Sequence, residues 1–250
     1  MHHSSRMFSE RRVVVAFSLL CMLMWLLLKL ASEVIEGDAI RLDQMIVQAL
    51  RHVDKTPIGP TALLDVARDI TALGSPTVLS LLVIATTVGL RLARQKIMAS
   101  AVLVSSLTGI GATLLMKSII GRGRPDDSYR LIQASGMSFP SGHAMMASVI
   151  YLTLAILVAK VNSNVRIKLF VLSVAMTLAA LVGVSRVYLG VHWPSDVVAG
   201  WIAGGVWALA CWIFVDRWGQ ERAAPQRLQA MSRDLLSRDG SVQSPGHADP

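Results

Sequence analysis

The sequence predicts an all-α membrane protein, a six-transmembrane-helix bundle with an interfacial helical segment between spans one and two. Three observations carry this. Of the 250 residues 53% are hydrophobic and only 16% charged, against roughly 25% charged in soluble domains. The apolar residues sit in long blocks, where a soluble amphipathic element would intersperse them with polar ones. Six of the blocks approach the roughly 20 residues that a helix needs to cross a bilayer.

The first block, Val13–Ala31, follows a basic stretch as a secretory leader would. It is longer than a leader's apolar core, and no small-x-small cleavage site follows, so it reads as a retained span. The other spans are Ser75–Leu92, Ile97–Ile120, Ser141–Val161, Leu169–Leu189 and Trp193–Val215. Spans three and six are rich in small residues, which let membrane helices approach closely. Ala199, Gly200, Ala203, Gly204 and Gly205 would give span six a packing face. Between spans one and two, Ile40, Met45, Ile46, Ala49 and Leu50 recur near helical spacing. That pattern suits a helix lying at the interface. Pro57 and Pro60 end it, and a second short helix is expected over Ala62–Leu73.

Basic residues set the orientation. Arg6, Arg11 and Arg12 precede span one; Arg91, Arg94 and Lys96 join spans two and three; Lys160, Arg166 and Lys168 join spans four and five; Arg217, Arg222 and Arg227 follow span six. All fall on one side, which is then cytoplasmic. The chain divides into a cytoplasmic N-terminus (1–12), a six-span domain (13–216, with 32–74 on the far side) and a cytoplasmic tail (217–250). The end of the tail is polar and rich in turn formers, so disorder is expected there. Both termini are inside, as in a bacterial inner-membrane protein whose other face is periplasmic.

The net charge of +8 is spread over short loops and both ends, with no basic face interleaved with aromatics. Nucleic acid is not a partner on this reading; membrane lipids are. Cys21 and Cys211 each lie inside an apolar block, so neither a disulfide nor a metal pair is expected.

The periplasmic side gathers ionisable residues at span ends, where they are costly and usually functional. Lys117 sits near the end of span three and Arg124 follows it, Ser141-Gly142-His143 opens span four, Arg186 closes span five, and His192 and Asp196 flank the start of span six. Arginine suits bidentate contact with phosphate oxygens, and lysine adds a point charge. Ser141 and Gly142 stand at a helix start, where free N–H groups attract anions. His192 and Asp196 are four residues apart and share a helix face. Asp196 can accept the Nδ1 proton of His192 and leave Nε2 free to attack phosphorus. His143 can then protonate the leaving oxygen. Asp126 and Asp127 are read as balancing the neighbouring arginines, and Arg122 as an interfacial anchor.

Three stretches resemble the signature of the type 2 phosphatidic acid phosphatase superfamily, the lipid phosphate phosphatases. They read Lys117-SIIGRG-Arg124-Pro125, Pro140-Ser141-Gly142-His143 and Ser185-Arg186-VYLGV-His192-WPS-Asp196. Each fragment alone is weak, whereas the three in order are specific. The resemblance implies a metal-independent, cofactor-free phosphatase acting on a lipid phosphate or diphosphate. Lys117, Arg124, Ser141, Gly142 and Arg186 would hold phosphate, His143 would be the acid, His192 the nucleophile and Asp196 its partner. Neither a carboxylate cluster for Mg²⁺ nor a His/Cys set for Zn²⁺ is visible. Candidate substrates are undecaprenyl diphosphate, phosphatidylglycerol phosphate, phosphatidic acid and phosphorylated lipid A. A phosphotransferase using the same phosphohistidine is the alternative, followed by a non-catalytic anionic-lipid binder or transporter. A vanadate peroxidase, which shares a similar site, is disfavoured by the six spans.

Overall fold

Six apolar blocks become six long helices, and two shorter helices fill the segment between the first two. The structure, a computed structural model, describes residues 2–213, with side chains from residue 14 onward. The expected tail at 217–250 lies outside the described residues. The helices are α1 His2–Glu36, α2 Ile40–Ala49, α3 Thr61–Ala72, α4 Pro76–Leu92, α5 Lys96–Ile120, α6 Gly142–Val161 and α7 Val165–Tyr188, followed by α8 Pro194–Ile213. The described residues form no β-sheet.

Among the described residues, five helices are individually long and apolar enough to cross a membrane. α4 has 17 residues. It qualifies with α3 as a broken span, bent by 41° at the break. Ser75 makes that break: its side chain caps α4 by accepting from Val78 N–H at 3.3 Å, and Pro76 follows at the first turn, where a missing N–H is harmless. α1 runs five residues beyond the expected Ala31, so residues 32–36 belong to the first helix.

The bundle is inside-out in the manner of a membrane protein. Leu107, Leu114, Ile119 and Phe170 are exposed, while Ser105, Ser106 and Thr113 are buried. Buried hydroxyls must find partners without water. Ser105 pairs with Thr153 at 3.2 Å, joining α5 to α6. α6 is central, with α4, α5 and α7 all packed against it. α8 completes the ring through its small residues: a Cβ at Gly200 would meet Ser141 O at 2.9 Å, and one at Gly204 would meet Ser148 Cβ at 2.5 Å. Ala199 and Ala203 are buried as well. Gly205 does not share this face, since nothing lies within 4 Å of its Cβ position.

The two short helices between α1 and α4 form as expected, with Ile40, Asp43 and Val47 of α2, and Leu50 at its C-cap, facing the protein. Exposed residues of α2 include Leu42 and Met45, and its buried ones are Asp43 and Val47. Met45, Ile46 and Ala49 of the expected stripe face outward, which lipid permits and water would not, while Ile40 and Leu50 pack against a buried cluster that includes Val47. Arg41, Gln44 and Gln48 stay exposed, and Asp43 is the polar residue of α2 that points inward, where it meets an arginine.

Candidate functional site

Four helix ends meet on one face. Gly121 closes α5 in the left-handed region at φ 63°, which glycine adopts freely. The loop beyond it returns when Ser138 N–H donates to Arg122 O at 2.8 Å. Ser141 N–H donates to Asp196 O at 2.9 Å, tying the start of α6 to the first turn of α8. The close approach at Gly200 permits this. The three signature fragments thus come together although 79 residues separate Lys117 from Asp196.

Asp196 is fully buried and held from several directions. As the third residue of α8 it reaches back to Trp193 N–H at 2.9 Å, the return half of a capping box. Its Oδ2 also accepts from the Ser138 hydroxyl, and His192 Nδ1 lies 3.4 Å from the same oxygen. Its Oδ1 accepts from Arg122 Nη1 at 2.8 Å. The expected His192–Asp196 pairing is therefore present, at a length beyond the roughly 2.7–3.2 Å of a formed hydrogen bond.

On the other side of the ring, Arg124 Nη1 lies 3.2 Å from His192 Nε2. A guanidinium can only donate. Nε2 must therefore carry the lone pair and Nδ1 the proton, the tautomer that nucleophilic attack through Nε2 requires. His192 is 2% exposed. Burial pushes its pKa down to about 4, with Asp196 opposing the shift.

Three cations surround this ring. Lys117 Nζ donates to Met137 O at 2.7 Å. Arg124 is splayed over the carbonyls of Ser135, Gly136 and Val191 at 2.7–3.0 Å, and burial lowers its pKa. Arg186 donates to Thr71 Oγ1 at 3.2 Å. Among the described residues none of the three has a carboxylate within ion-pair distance. Arg186 Nε and Ser141 Oγ are buried without a hydrogen-bond partner among those residues, a costly state unless something pairs with them. A Cβ on Gly142 would meet nothing closer than Thr113 Cγ2 at 3.7 Å. Protein packing thus leaves room at that helix start.

His143 is partly exposed and lies within electrostatic range of Arg186, His192, Arg124 and Lys117. Together with Lys117 and Gly142 it closes one end of a cavity of about 480 Å³. The remaining wall is apolar and runs between α4, α5 and α6, past Leu79, Val83, Leu107 and Ile110.

Asp43, Ser138 and Ser195 were given no role by sequence and Arg122 was read as an interfacial anchor, yet these four hold Asp196 or each other. Arg122 is an anchor in the protein interior: its side chain is 10% exposed and pairs with Asp43 and Asp196. Asp126 and Asp127 do not balance it. Asp126 caps the short turn at Ser128, and Asp127 pairs with Arg130.

A family model described as the PAP2 superfamily matches residues 97–220, the stretch that carries all three fragments. Phosphatidylglycerophosphatase B of Bacillus subtilis (strain 168) is 43% identical over 91 residues, 36% of this chain and 44% of that protein. An undecaprenyl-diphosphatase of Sulfolobus acidocaldarius is 37% identical over 93 residues, 37% of this chain and 40% of that protein. The matched stretches thus span less than half the length of these curated relatives. The crystal structure of a transmembrane PAP2-type phosphatidylglycerolphosphate phosphatase from Bacillus subtilis superposes with a TM-score of 0.72 at 30% identity, covering 79% of this chain and 96% of that one.

Proposed function

This chain belongs to the PAP2 superfamily, and from that premise we propose that it hydrolyses a lipid phosphate or diphosphate through a phosphohistidine on His192. The observation that carries the reading is the cavity, whose charged end holds Lys117, Gly142 and His143 and whose apolar wall passes between three membrane helices. An anion that fits one end and hydrocarbon that fits the other describe a phosphorylated lipid. Such a molecule would reach the site sideways from the membrane. The site face is periplasmic and both termini are cytoplasmic on this reading, because basic loops stay inside.

In the first step the Nε2 lone pair forms a bond to phosphorus while the bond to the leaving oxygen breaks. That oxygen takes its proton from His143, which this step requires as the general acid. Nδ1 keeps its proton, and Asp196 stabilises the cationic phosphorylated ring. Arg124 exchanges its contact with Nε2 for a phosphoryl oxygen, and Lys117 and Arg186 take others. The cations act on charge that spreads over these oxygens in the transition state. In the second step water attacks phosphorus and gives a proton to His143. The P–N bond breaks, releasing inorganic phosphate and neutral His192. No step calls for a metal.

The relatives' names span a glycerophosphate lipid and a prenyl diphosphate, so the headgroup is a matter for assay. Phosphate release by the purified chain in detergent with EDTA, over a panel of the four candidate lipids and beside His192→Ala, tests the proposal. Release that persists in EDTA, is blocked by orthovanadate and disappears in the variant is expected. Unimpaired release by His192→Ala, or loss in EDTA, would overturn the mechanism.

A further inference from the structure

The orienting carboxylate of the proposed nucleophile does not stand alone. Arg122 Nη1 donates to Asp196 Oδ1 at 2.8 Å and to Ser195 Oγ at 2.7 Å, and its Nη2 donates to Asp43 Oδ2 at 2.6 Å. Asp43 Oδ1 in turn accepts from Ser195 N–H at 2.9 Å, and the Ser195 hydroxyl donates to its Oδ2. The guanidinium also faces the Trp193 ring, 5.6 Å from its centroid. Side-chain exposures are 3% for Asp43, 10% for Arg122 and 0% for Asp196. Three charges are thus buried together where apolar packing would serve stability as well or better.

We propose that Arg122 and Asp43 are positioning residues that fix Asp196 for His192, and that the interfacial helix α2 is thereby part of the active site. This rests on the reading of His192 as nucleophile. The two oxygens of Asp196 have different partners. Oδ2 takes the Trp193 N–H and the Ser138 hydroxyl and faces His192. Arg122 is the partner of Oδ1. Without that anchor the carboxylate plane can turn, and the oxygen facing Nδ1 is no longer fixed. Asp43 acts on charge. Paired with Arg122 alone, Asp196 would present a nearly neutral ion pair to the phosphorylated ring. With Asp43 added, the trio presents one net negative charge, as an isolated aspartate would, while remaining rigid.

The test uses the full chain in detergent and whichever lipid phosphate it turns over fastest. Arg122→Gln, Arg122→Lys, Asp43→Asn and the Asp43→Asn/Arg122→Gln double variant are compared with wild type and His192→Ala. Each is first checked for a monodisperse elution profile and a thermal transition. Arg122→Gln should lower kcat roughly 10–100-fold, the effect typical of groups that orient a side chain acting directly in the site, with KM changed less than about threefold. Asp43→Asn, which keeps its shape, should lower kcat about tenfold. The double variant should be no worse than Arg122→Gln, because Asp43 acts through Arg122. Arg122→Lys should recover part of the loss, since an ammonium keeps the charge but not the two-sided bridge. A purely structural trio would lower the melting temperature and leave kcat of the folded protein unchanged; kcat within about twofold of wild type in Asp43→Asn and Arg122→Lys would overturn the proposal. Additive losses in the double variant would overturn the route through Arg122. Activity in His192→Ala identifies failure of the underlying reading, and the positioning role falls with it.

Discussion

Replacing Asp196 with asparagine isolates the charge that faces the proposed nucleophile, because the side chain keeps its shape. Its Oδ2 lies 3.4 Å from His192 Nδ1. Phosphorylation of Nε2 makes the ring cationic, and at that separation a unit charge pair is worth about 5 kcal/mol at an effective dielectric near 20. That figure is a ceiling of three to four decades in rate at about 1.4 kcal/mol each. Two features of the site reduce it. Arg122, 2.8 Å from the other carboxylate oxygen, already offsets part of the negative charge. Arg124, a pure donor 3.2 Å from Nε2, still selects the reactive tautomer in the free enzyme, before it passes to the phosphate. In a serine protease triad the equivalent Asp→Asn change removes that selection and costs about 10⁴-fold. Here a loss of about 10²–10³-fold in kcat/KM is expected. The assay is phosphate release at saturating and limiting lipid phosphate in detergent, with elution profile and thermal transition as controls. A loss under tenfold in the folded variant would mean that Asp196 only caps α8. A loss equal to that of His192→Ala would mean that Arg124 does not hold the tautomer.

Three further outcomes follow from the site and its cavity. Because burial pushes His192 down to about 4, roughly 97% of its rings stay neutral at pH 5.5, against roughly 9% for an unshifted histidine. The phosphorylation step, corrected for the substrate's own ionisation, should therefore hold to about pH 5 and fall only near 4; a limb near 6.5 would place the nucleophile elsewhere. The same shift makes the folded protein lose stability as pH falls from 6.5 towards 4, since the unfolded chain takes up the proton first. In the cavity wall, Ile110→Trp should lower the ratio of long-chain to short-chain substrate turnover about tenfold, and an unchanged ratio would mean that the chain of the lipid lies elsewhere.

The elements legible in the sequence are those whose cause is local. Hydropathy marked the six long helices because each must satisfy its own backbone in lipid. Ser75-Pro76 and Gly121 punctuate them by capping and turn chemistry. His192 and Asp196 were paired on a spacing of four, and their partners in the other two fragments sit at helix ends that topology brings to one face. What was not legible depends on contacts that no spacing encodes. Asp43 meets Arg122 across 79 residues and Ser138 meets Asp196 across 58. The orientation of α2 was hidden for a different reason. An apolar stripe on a helix points to a core in water, whereas beside lipid it can point outward. Asp43 falls between Ile40, Val47 and Leu50, and a single acid at that position of an interfacial helix resembles an ordinary solvated residue.

The trio also changes the charge balance that the fragments suggest. Counting Lys117, Arg124 and Arg186 against Asp196 alone already gives a surplus of two positive charges, and Arg122 would raise it to three. Asp43 returns it to two by cancelling Arg122. A surplus of two matches a phosphomonoester above its second pKa, near 6. It also accounts for the placement of the charges. Of the cations without carboxylate partners, Lys117 lines the cavity and Arg124 reaches His192 Nε2, while Arg186 Nε and Ser141 Oγ are buried without a hydrogen-bond partner among the described residues. The compensated arginine lies behind the dyad, where it can fix geometry without attracting the substrate away from Nε2. Binding and orientation are thus assigned to different arginines in one loop, Arg124 facing the ring and Arg122 facing the carboxylate, two residues apart in sequence and on opposite sides of His192 and Asp196.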